Sequence, residues 1–341
     1  MEEIRGNALV LLRTVLVFIA AAVLRAPIWA QAAPASLPLI GASSNLVLTP
    51  VLVRSASGDM VSGLSAGDFR VTDNGQPQKI QADHVDMDRV ALVVVMQVGS
   101  RVPMQLQSYQ TLTGLVSAMF GSSIPHVALV TFDSHIEETW NFPDRFDGLK
   151  YAFRNPGSGD AGAAVIDALN GAAGLLKAQP IGLRRVILLL SQPQDEHSLI
   201  TPAAVARQLG ENNITVYSMA FKPRTSNRIH KQKRPKKEKM SPASDEATYA
   251  KAEFDRIVSR LQTDTSAESA DLTGGEHIWL DDADLLQNVL ATLRTDFANT
   301  YLLSFYPDSS QPGFHSIHVQ LKKKLSENTL VARQAYWRDS N

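Results

Sequence analysis

"RVALVVVM", residues 89–96, is an unbroken apolar run that stops at "QVGS", residues 97–100. A strand covered on one face alternates apolar and polar residues. A continuous apolar run needs cover on both faces, as in a parallel sheet. "HVALVTF" (126–132), "RRVILLLS" (184–191) and "ITVYSMAF" (214–221) share that texture, and "EHIWL" (276–280) is a shorter fifth strand. Between them the spacing turns helical. Leu112, Leu115, Val116, Met119 and Phe120 mark one helix, and Val165, Leu169, Ala172 and Leu176 mark another over 163–178. Thr201-Pro202 supplies an N-cap and a first-turn proline for "AAVARQLG". Asp281 or Asp282 caps a helix whose Leu285, Leu286, Val289, Leu290 and Leu293 face inward. Strands alternating with helices predict an α/β fold: a doubly wound, mostly parallel sheet with helices on both faces. Ligands bind such sheets beyond the carboxyl ends of the strands. Met96 and the residues after it stand at such an end, although a thioether, an amide and an isopropyl group offer little reactivity.

The flanks of this unit are β-rich. "LVLTPVLVRS" (46–55) reads as a strand, and "FRVTDNGQPQKIQADHV" (69–85) as two strands about an Asn74-Gly75 turn. Beyond the last helix, "TYLLSFYP" (300–307), "FHSIHVQLKK" (314–323) and "TLVARQAYW" (329–337) are strand-like. The economical reading is one antiparallel β unit built from N- and C-terminal segments, with the α/β unit inserted into it. Two independent β caps are the alternative. The expected boundaries are 46–86 for the N-terminal β segment, 87–298 for the α/β domain and 299–338 for the C-terminal β segment. Within the domain, 222–270 reads as a basic and polar, mobile insertion, with a helix in "ATYAKAEFDRIVSRLQ" (247–262). A basic arm for nucleic acid or an anionic envelope polymer is its sharper reading, but no aromatic stacking platform accompanies the charges.

The first residues read as a targeting signal. Arg5 and Arg13 precede the apolar stretch "TVLVFIAAAVL" (14–24), and Ala30-Gln31-Ala32 gives a small-x-small cleavage pattern. The apolar stretch is shorter than the roughly 20 residues of a spanning helix, so a signal over 1–32 and a flexible leader over 33–45 are expected, with no membrane anchor after cleavage. The mature protein would be periplasmic or extracellular. Composition is ordinary, with 44% apolar and 20% charged residues. The formal net charge of −1 gives no electrostatic case for nucleic acid. With no cysteine, disulfides, thiolate catalysis and Cys-zinc sites are excluded.

The order of these elements resembles a von Willebrand factor type A domain, and more narrowly the bacterial secreted VWFA-related proteins. The resemblance rests on "GLSAGDFRVTDNGQPQKI", "HVALVTFDSHIEE", "RRVILLLSQPQDEHS", "NNITVYSMAF", "LTGGEHIWLDD" and the closing "YLLSFYP", "FHSIHVQLKK" and "VARQAYW". It implies a Mg²⁺ or Mn²⁺ site at the top of the sheet, built from Asp-x-Ser-x-Ser, a Thr and a later Asp. In this chain those positions are Met96, Val98, Ser100, Ala163 and Gln192. Only Ser100 keeps the expected residue type. Mg²⁺ demands hard oxygen ligands, so the site is expected to be degenerate and to hold no cofactor.

No catalytic motif is evident. There is no G-x-S-x-G, no phosphate-binding G-x-x-x-x-G-K and no H-E-x-x-H. "GSGDAG" (157–162) reads as the remnant of the metal-site loop. His315 and His318 sit at odd spacing on one strand and so on opposite faces. Trp140, Trp279 and Trp337 read as packing residues. The expected function is a non-enzymatic protein-binding or adhesion-type module whose partner is a protein or cell-envelope component. Its expected face is Met96, Gln97, Ser100, Asp133, His135, Asp160 and the stretch Gln192 to His197, including Asp195. A metal-dependent adhesion module with a site relocated to Asp133, Asp160 or Asp195 is the alternative, and a hydrolase the third reading.

Overall fold

The computed structural model describes residues 46–84, 86, 89–103, 114, 116, 126–142, 146–154, 157–223, 246–280, 284–322 and 329–339, all within one unit, Asn45–Asn341. The chain enters through β1 (Val47–Arg54), then β2 (Phe69–Asp73), β3 (Gln76–Pro77) and β4 (Gln81–His84). Next comes β5 (Val90–Gln97), every residue of which is buried. Then follow β6 (Val127–Phe132), β7 (Ile136–Trp140), α1 (Phe146–Arg154), α2 (Val165–Lys177), β8 (Arg184–Ser191), α3 (Pro202–Glu211) and β9 (Thr215–Phe221). After these come α4 (Glu246–Thr263), α5 (Thr265–Thr273), β10 (His277–Leu280) and α6 (Asp284–Asn299). The chain finishes with β11 (Tyr301–Phe305), β12 (Gly313–Leu321), β13 (Thr329–Ala332) and β14 (Ala335–Arg338).

The central sheet has six strands in the order β10-β9-β8-β5-β6-β7. All its pairings are parallel except β6 with β7. Its two faces follow from the period of two. Val90, Leu92, Val94 and Met96 pack on one side with Leu149 and Phe153 of α1 and Leu293 and Phe297 of α6. Ala91, Val93 and Val95 pack on the other with Leu169, Ala172 and Leu176 of α2 and Val205 and Leu209 of α3. This is the doubly wound, mostly parallel architecture read from the apolar runs.

The β flanks form two four-stranded sheets, β13-β1-β11-β4 and β14-β12-β2-β3. Each sheet mixes N- and C-terminal strands: β1 pairs with β11, and β2 with β12. Val51, Val53, Phe69, Val71, Leu303, Phe305 and Tyr336 fill the space between them. A single sandwich is thus closed by both ends of the chain around the α/β unit, not by two separate caps.

Several elements differ from the sequence reading. The Asn74-Gly75 turn has both residues at positive φ, as a tight hairpin requires, but β3 is two residues long and the chain then crosses to the other sheet as β4. The single strand expected over 329–337 is two strands in different sheets, broken at Arg333-Gln334. β7 and α1 were not anticipated. Within the stretch 222–270, expected as a mobile insertion with a helix over 247–262, α4 covers that helix, whereas α5, which runs on to Thr273, was not anticipated and is almost wholly buried. Its small Ser, Thr and Ala side chains allow close helix packing, and Ser269 Oγ and Thr273 Oγ1 donate back to carbonyls of the same helix. Residues 224–245 of that stretch lie outside the described residues, as do residues 1–45, Asp281 and Asp282. Of the helix expected around Leu112, only Gly114 and Val116 are described, both helical, and Val116 is buried. Among the described residues no helix is long and apolar enough to cross a membrane.

The sandwich docks where strands of the central sheet begin. Leu48 N donates to Asn213 Oδ1 at 3.1 Å, Arg333 Nη2 to Ile214 O at 2.7 Å, and Gln334 N to Leu272 O at 3.0 Å. Asn213 and Ile214 precede β9, and Leu272 closes α5 ahead of β10. The carboxyl ends of β5, β6 and β8, where the candidate site lies, are at the opposite end.

Candidate functional site

Alternation along β5 decides what its end presents. Met96 follows Val94 into the core and is fully buried beside Val102 and Val116. Gln97 points to the other face, equally buried. There it meets Gln192, the first residue after β8. Gln97 Oε1 accepts Gln192 N at 2.8 Å. Gln97 Nε2 donates to Gly162 O at 3.2 Å and faces Gln192 Oε1 at 3.4 Å. Gln192 Nε2 in turn donates to Gln194 O at 3.0 Å and Glu196 Oε1 at 3.2 Å. Glu196 completes the lock: its N–H bonds Ala163 O at 2.7 Å, and its Oε2 lies 2.5 Å from Arg101 Nη1. Two neutral amides thus stitch three loops together, each buried polar atom supplied with a partner as burial demands.

The glycines of "GSGDAG" explain themselves by contact. A Cβ on Gly159 would lie 2.8 Å from Val98 Cγ2, and one on Gly162 2.3 Å from Ser134 Cβ. Across the gap, a Cβ on Gly99 would lie 2.1 Å from Asp160 O, and Gly99 also needs its φ of +96°. The loop lies directly on the ends of β5 and β6, with Ser100 N donating to Asp160 O at 3.0 Å.

The three aspartates hold loops rather than converge on one another. Asp133 is buried; its Oδ2 accepts Asp160 N at 2.7 Å and its Oδ1 accepts His135 N at 3.1 Å. Asp160 accepts Ser134 Oγ and Gly162 N, both at 2.6 Å, and Ser134 N at 3.2 Å. The Ser134 hydroxyl, with those backbone donors, holds the Asp160 carboxyl below its usual range. Asp195 serves a different element. Its Oδ1 accepts Ile166 N at 2.9 Å, in the first turn of α2, where Ala164 provides no side-chain cap. The same oxygen accepts Ser198 Oγ at 2.6 Å. Asp167 reciprocates by accepting Leu199 N and Ile200 N.

Of the expected face, Met96, Gln97, Asp133 and Gln192 are buried and form its floor. That corrects the sequence reading, which had placed them where a partner would touch. Ser100, His135, Asp160 and His197 are exposed, and Asp195 is half-buried. Two residues that the sequence reading passed over join them. Leu199 is 91% exposed, at the tip of a loop pinned by Asp167 and Asp195 and bent by a φ of +82° at His197. Glu137 lies beside His135, whose Nε2 is 3.0 Å from Glu137 Oε1 and whose Nδ1 is 3.1 Å from Asp133 Oδ1. Burial and the neighbouring Asp133 charge raise the proton affinity of Glu137. The sequence offered a signal for Glu137, since Asp133, His135 and Glu137 alternate, but it depended on seeing a strand there.

The ion implied by the family resemblance does not fit these residues. The Met96 thioether is inside the core, Val98 and Ala163 are buried without a donor atom, and the Gln192 amide is engaged with Gln97 and Glu196. At the expected positions the hard oxygens are the Ser100 hydroxyl and the Gln192 amide oxygen, the latter 3.4 Å from Gln97 Nε2, and no carboxylate is among them. Among the described residues, the group with mutually close ligand atoms is instead Asp133, His135 and Glu137, within 4.8 Å of one another.

No protein-family model matches the chain, and no curated protein matches it. Solved structures similar to it include the conserved hypothetical protein BatB from Bacteroides thetaiotaomicron, 15% identical with a TM-score of 0.40, covering 61% of this chain and 98% of that one. An aerotolerance-related membrane protein from Bacteroides fragilis NCTC 9343, carrying multiple mutations to serine, is 15% identical with a TM-score of 0.39 over the same shares. A von Willebrand factor type A protein from Catenulispora acidiphila is 10% identical with a TM-score of 0.42, covering 80% of this chain and 75% of that one.

Proposed function

We propose that the chain is an exported, non-enzymatic binding module that engages a protein or cell-envelope partner through the upper rim of its α/β sheet, without a metal ion. The observation that carries this reading is the Gln97–Gln192 lock. Gln192 stands at an expected metal-ligand position, and with Gln97 it ties three loops together through bonds between neutral groups, so these loops are joined without an ion. Rigid presentation lowers the ordering cost of association. Leu199, His197, Ser100 and His135 stand exposed on that rim, and an exposed Leu on a braced loop is a natural apolar anchor.

The test is site-specific photo-crosslinking in the producing cells. A crosslinker at Ser100, His197 or Leu199 is expected to trap the same protein in chelator and in Mg²⁺. One at Lys251, on the exposed face of α4, is expected to trap none. Absence of rim crosslinks, or crosslinks equal at Lys251, would overturn the surface assignment.

A second reading, a metal-dependent module with a relocated site, is favoured by the Asp133–His135–Glu137 group. Its imidazole suits a transition metal better than Mg²⁺. Against it, both Asp133 oxygens already accept backbone N–H groups. Crosslinking that requires a divalent ion and disappears in His135→Ala would establish this reading in place of the first.

A further inference from the structure

At the base of the sheet, away from the rim, one guanidinium holds two carboxylates. Arg54, the last residue of β1, places Nη2 2.8 Å from Asp296 Oδ1 and 3.1 Å from Glu276 Oε1. Arg54 belongs to the sandwich. Glu276 precedes β10, and Asp296 lies in the last turn of α6, so the other two belong to the α/β unit. The Asp296 side chain is fully buried, and its second oxygen, Oδ2, has no hydrogen-bond partner. A buried acceptor without a donor is costly, and a carboxylate in the last turn of a helix also faces the negative end of the helix dipole. Both costs vanish when that oxygen carries a proton.

The surrounding groups do not relieve the charge. Tyr217 of β9 stacks on Phe297 at 4.4 Å, and burial holds its hydroxyl protonated. Arg184 of β8 gives Nη2 to that hydroxyl, at 3.2 Å, and lies over the Phe297 ring; its Nε and Nη1 have no partner among the described residues, and the ion pairs of both carboxylates are with Arg54. His277, next to Glu276, turns its Nδ1 to Ser218 Oγ. Arg54 therefore faces two carboxylates with one charge.

We infer that Arg54, Glu276 and Asp296 form a proton-operated latch between the sandwich and the α/β unit, closed while one proton resides on the two carboxylates and loosened when both are ionised. Burial first, then a hydrogen bond with Glu276, and then the charge of that group push the Asp296 carboxyl up to about 8, so the change falls between neutral and mildly alkaline pH. The sign follows from linkage. A carboxyl raised in the folded state stabilises fully below the ordinary carboxylate range, and that stabilisation is lost as pH rises towards about 8.

The experiment compares thermal unfolding and amide exchange of the full chain with those of Asp296→Asn between pH 6 and 9.5. The wild type is expected to lose stability relative to the variant as pH rises, by up to about tenfold in folding constant per pH unit, and then level off above the transition. Exchange at β1 near Arg54, corrected for intrinsic rate, is expected to accelerate over the same range in the wild type alone. Parallel curves would overturn the latch. Should Asp296→Asn not fold, the ¹³C carboxyl resonance of Asp296 in the wild type decides. A midpoint near 8 sustains the inference, and one in the ordinary carboxylate range overturns it.

Discussion

The two ends of the central sheet solve the same problem in opposite ways. Both bring several loops together around polar groups, most of them buried. At the rim the groups are neutral amides and backbone-capped carboxylates: Gln97 and Gln192 satisfy each other, while Asp133 and Asp160 accept N–H groups of adjacent loops. At the base the groups are charges in imperfect balance. Arg333 is buried with one bond to Ile214 O, its Nε and Nη1 unpartnered, and burial lowers its guanidinium to about 9. Two carboxylates share Arg54. We read the rim as a finished surface, its loops held by hydrogen bonds to neutral and backbone groups. The base is covered by the sandwich and holds its charges under strain, suited to responding. Charge retained under cover costs stability and gains sensitivity; charge replaced by amides does the reverse.

The sharpest break of this contrast is steric and should affect both ends alike. Gly99→Ala at the rim would place a Cβ 2.1 Å from Asp160 O at a φ of +96°, and Gly275→Ala at the base would place one 2.0 Å from Val216 O. Backbone atoms cannot step aside as a flexible side chain would. Each variant is expected to lose about 3 kcal/mol or more by chemical denaturation. A loss below about 1 kcal/mol at Gly99 would mean that the rim loops are not seated as described.

A smaller effect separates the ends by the kind of coupling. Gln97→Met and Gln192→Met should each cost about 1–3 kcal/mol, because the first takes the acceptor from Gln192 N and the donor from Gly162 O, and the second takes the donor from Gln194 O and Glu196 Oε1. The double variant should cost less than the sum, with a coupling of about 0.5–2 kcal/mol in a double-mutant cycle. Additive losses would show that the two amides do not act as one lock.

How far the sequence carried these conclusions depends on burial. β5, β8 and β9 were legible because strands covered on both faces must be apolar throughout. β7 was not, since "IEETW" is an exposed edge strand whose acidic residues give no apolar pattern. α5 was missed for the reverse reason. "TSAESADLT" is buried yet polar in composition, its hydroxyls satisfied inside the helix where a hydrophobicity pattern cannot register them. The break at Arg333 was hidden because a buried Arg bonding Ile214 O depends on a contact 119 residues away. At the candidate site, the residue types at Met96, Val98, Ser100, Ala163 and Gln192 could be read from the sequence. The lock that replaces them could not, because Gln97 and Gln192 are 95 residues apart and each alone is an ordinary amide. The latch was equally invisible, assembled from residues 222 and 242 positions from Arg54.

The next effect is confined to acid. The depressed Asp160 carboxyl contributes stability above the ordinary carboxylate range and loses it as pH falls through its lowered folded value. The rim loop over 157–162 should therefore loosen only in strong acid, below roughly pH 4, where model carboxyls titrate. Amide exchange at Ser134 and Gly162 reads this directly. Asp160→Asn should bring the same loosening to neutral pH, and with Asp160 exposed the change in overall stability should be smaller than for either glutamine. Equal protection of Gly162 in the variant and the wild type at neutral pH would remove Asp160 from the design of the rim.

The smallest expected effect is also the one that tests the contrast most directly. After chelator treatment, adding Mg²⁺, Mn²⁺, Ca²⁺ or Zn²⁺ at millimolar concentration should leave the unfolding temperature of the protein unchanged. An ion that binds the folded chain alone must stabilise it by mass action, by about 2.7 kcal/mol at a hundredfold excess over its dissociation constant, so a flat response is informative. The physical ground is the donor set. To coordinate at the strand end, a hard ion would have to strip the Gln192 amide from Gln97 and Glu196 and would find Val98 and Ala163 offering nothing. To coordinate at Asp133 instead, it would have to displace the backbone N–H groups of Asp160 and His135 that seat the glycine loop. A stabilisation by Mg²⁺ that survives His135→Ala would place a hard-ion site elsewhere on the rim and end the reading of the rim as a finished surface. A stabilisation by Zn²⁺ alone, lost in His135→Ala, would keep the Gln97–Gln192 lock intact and move the point of partner control to β7.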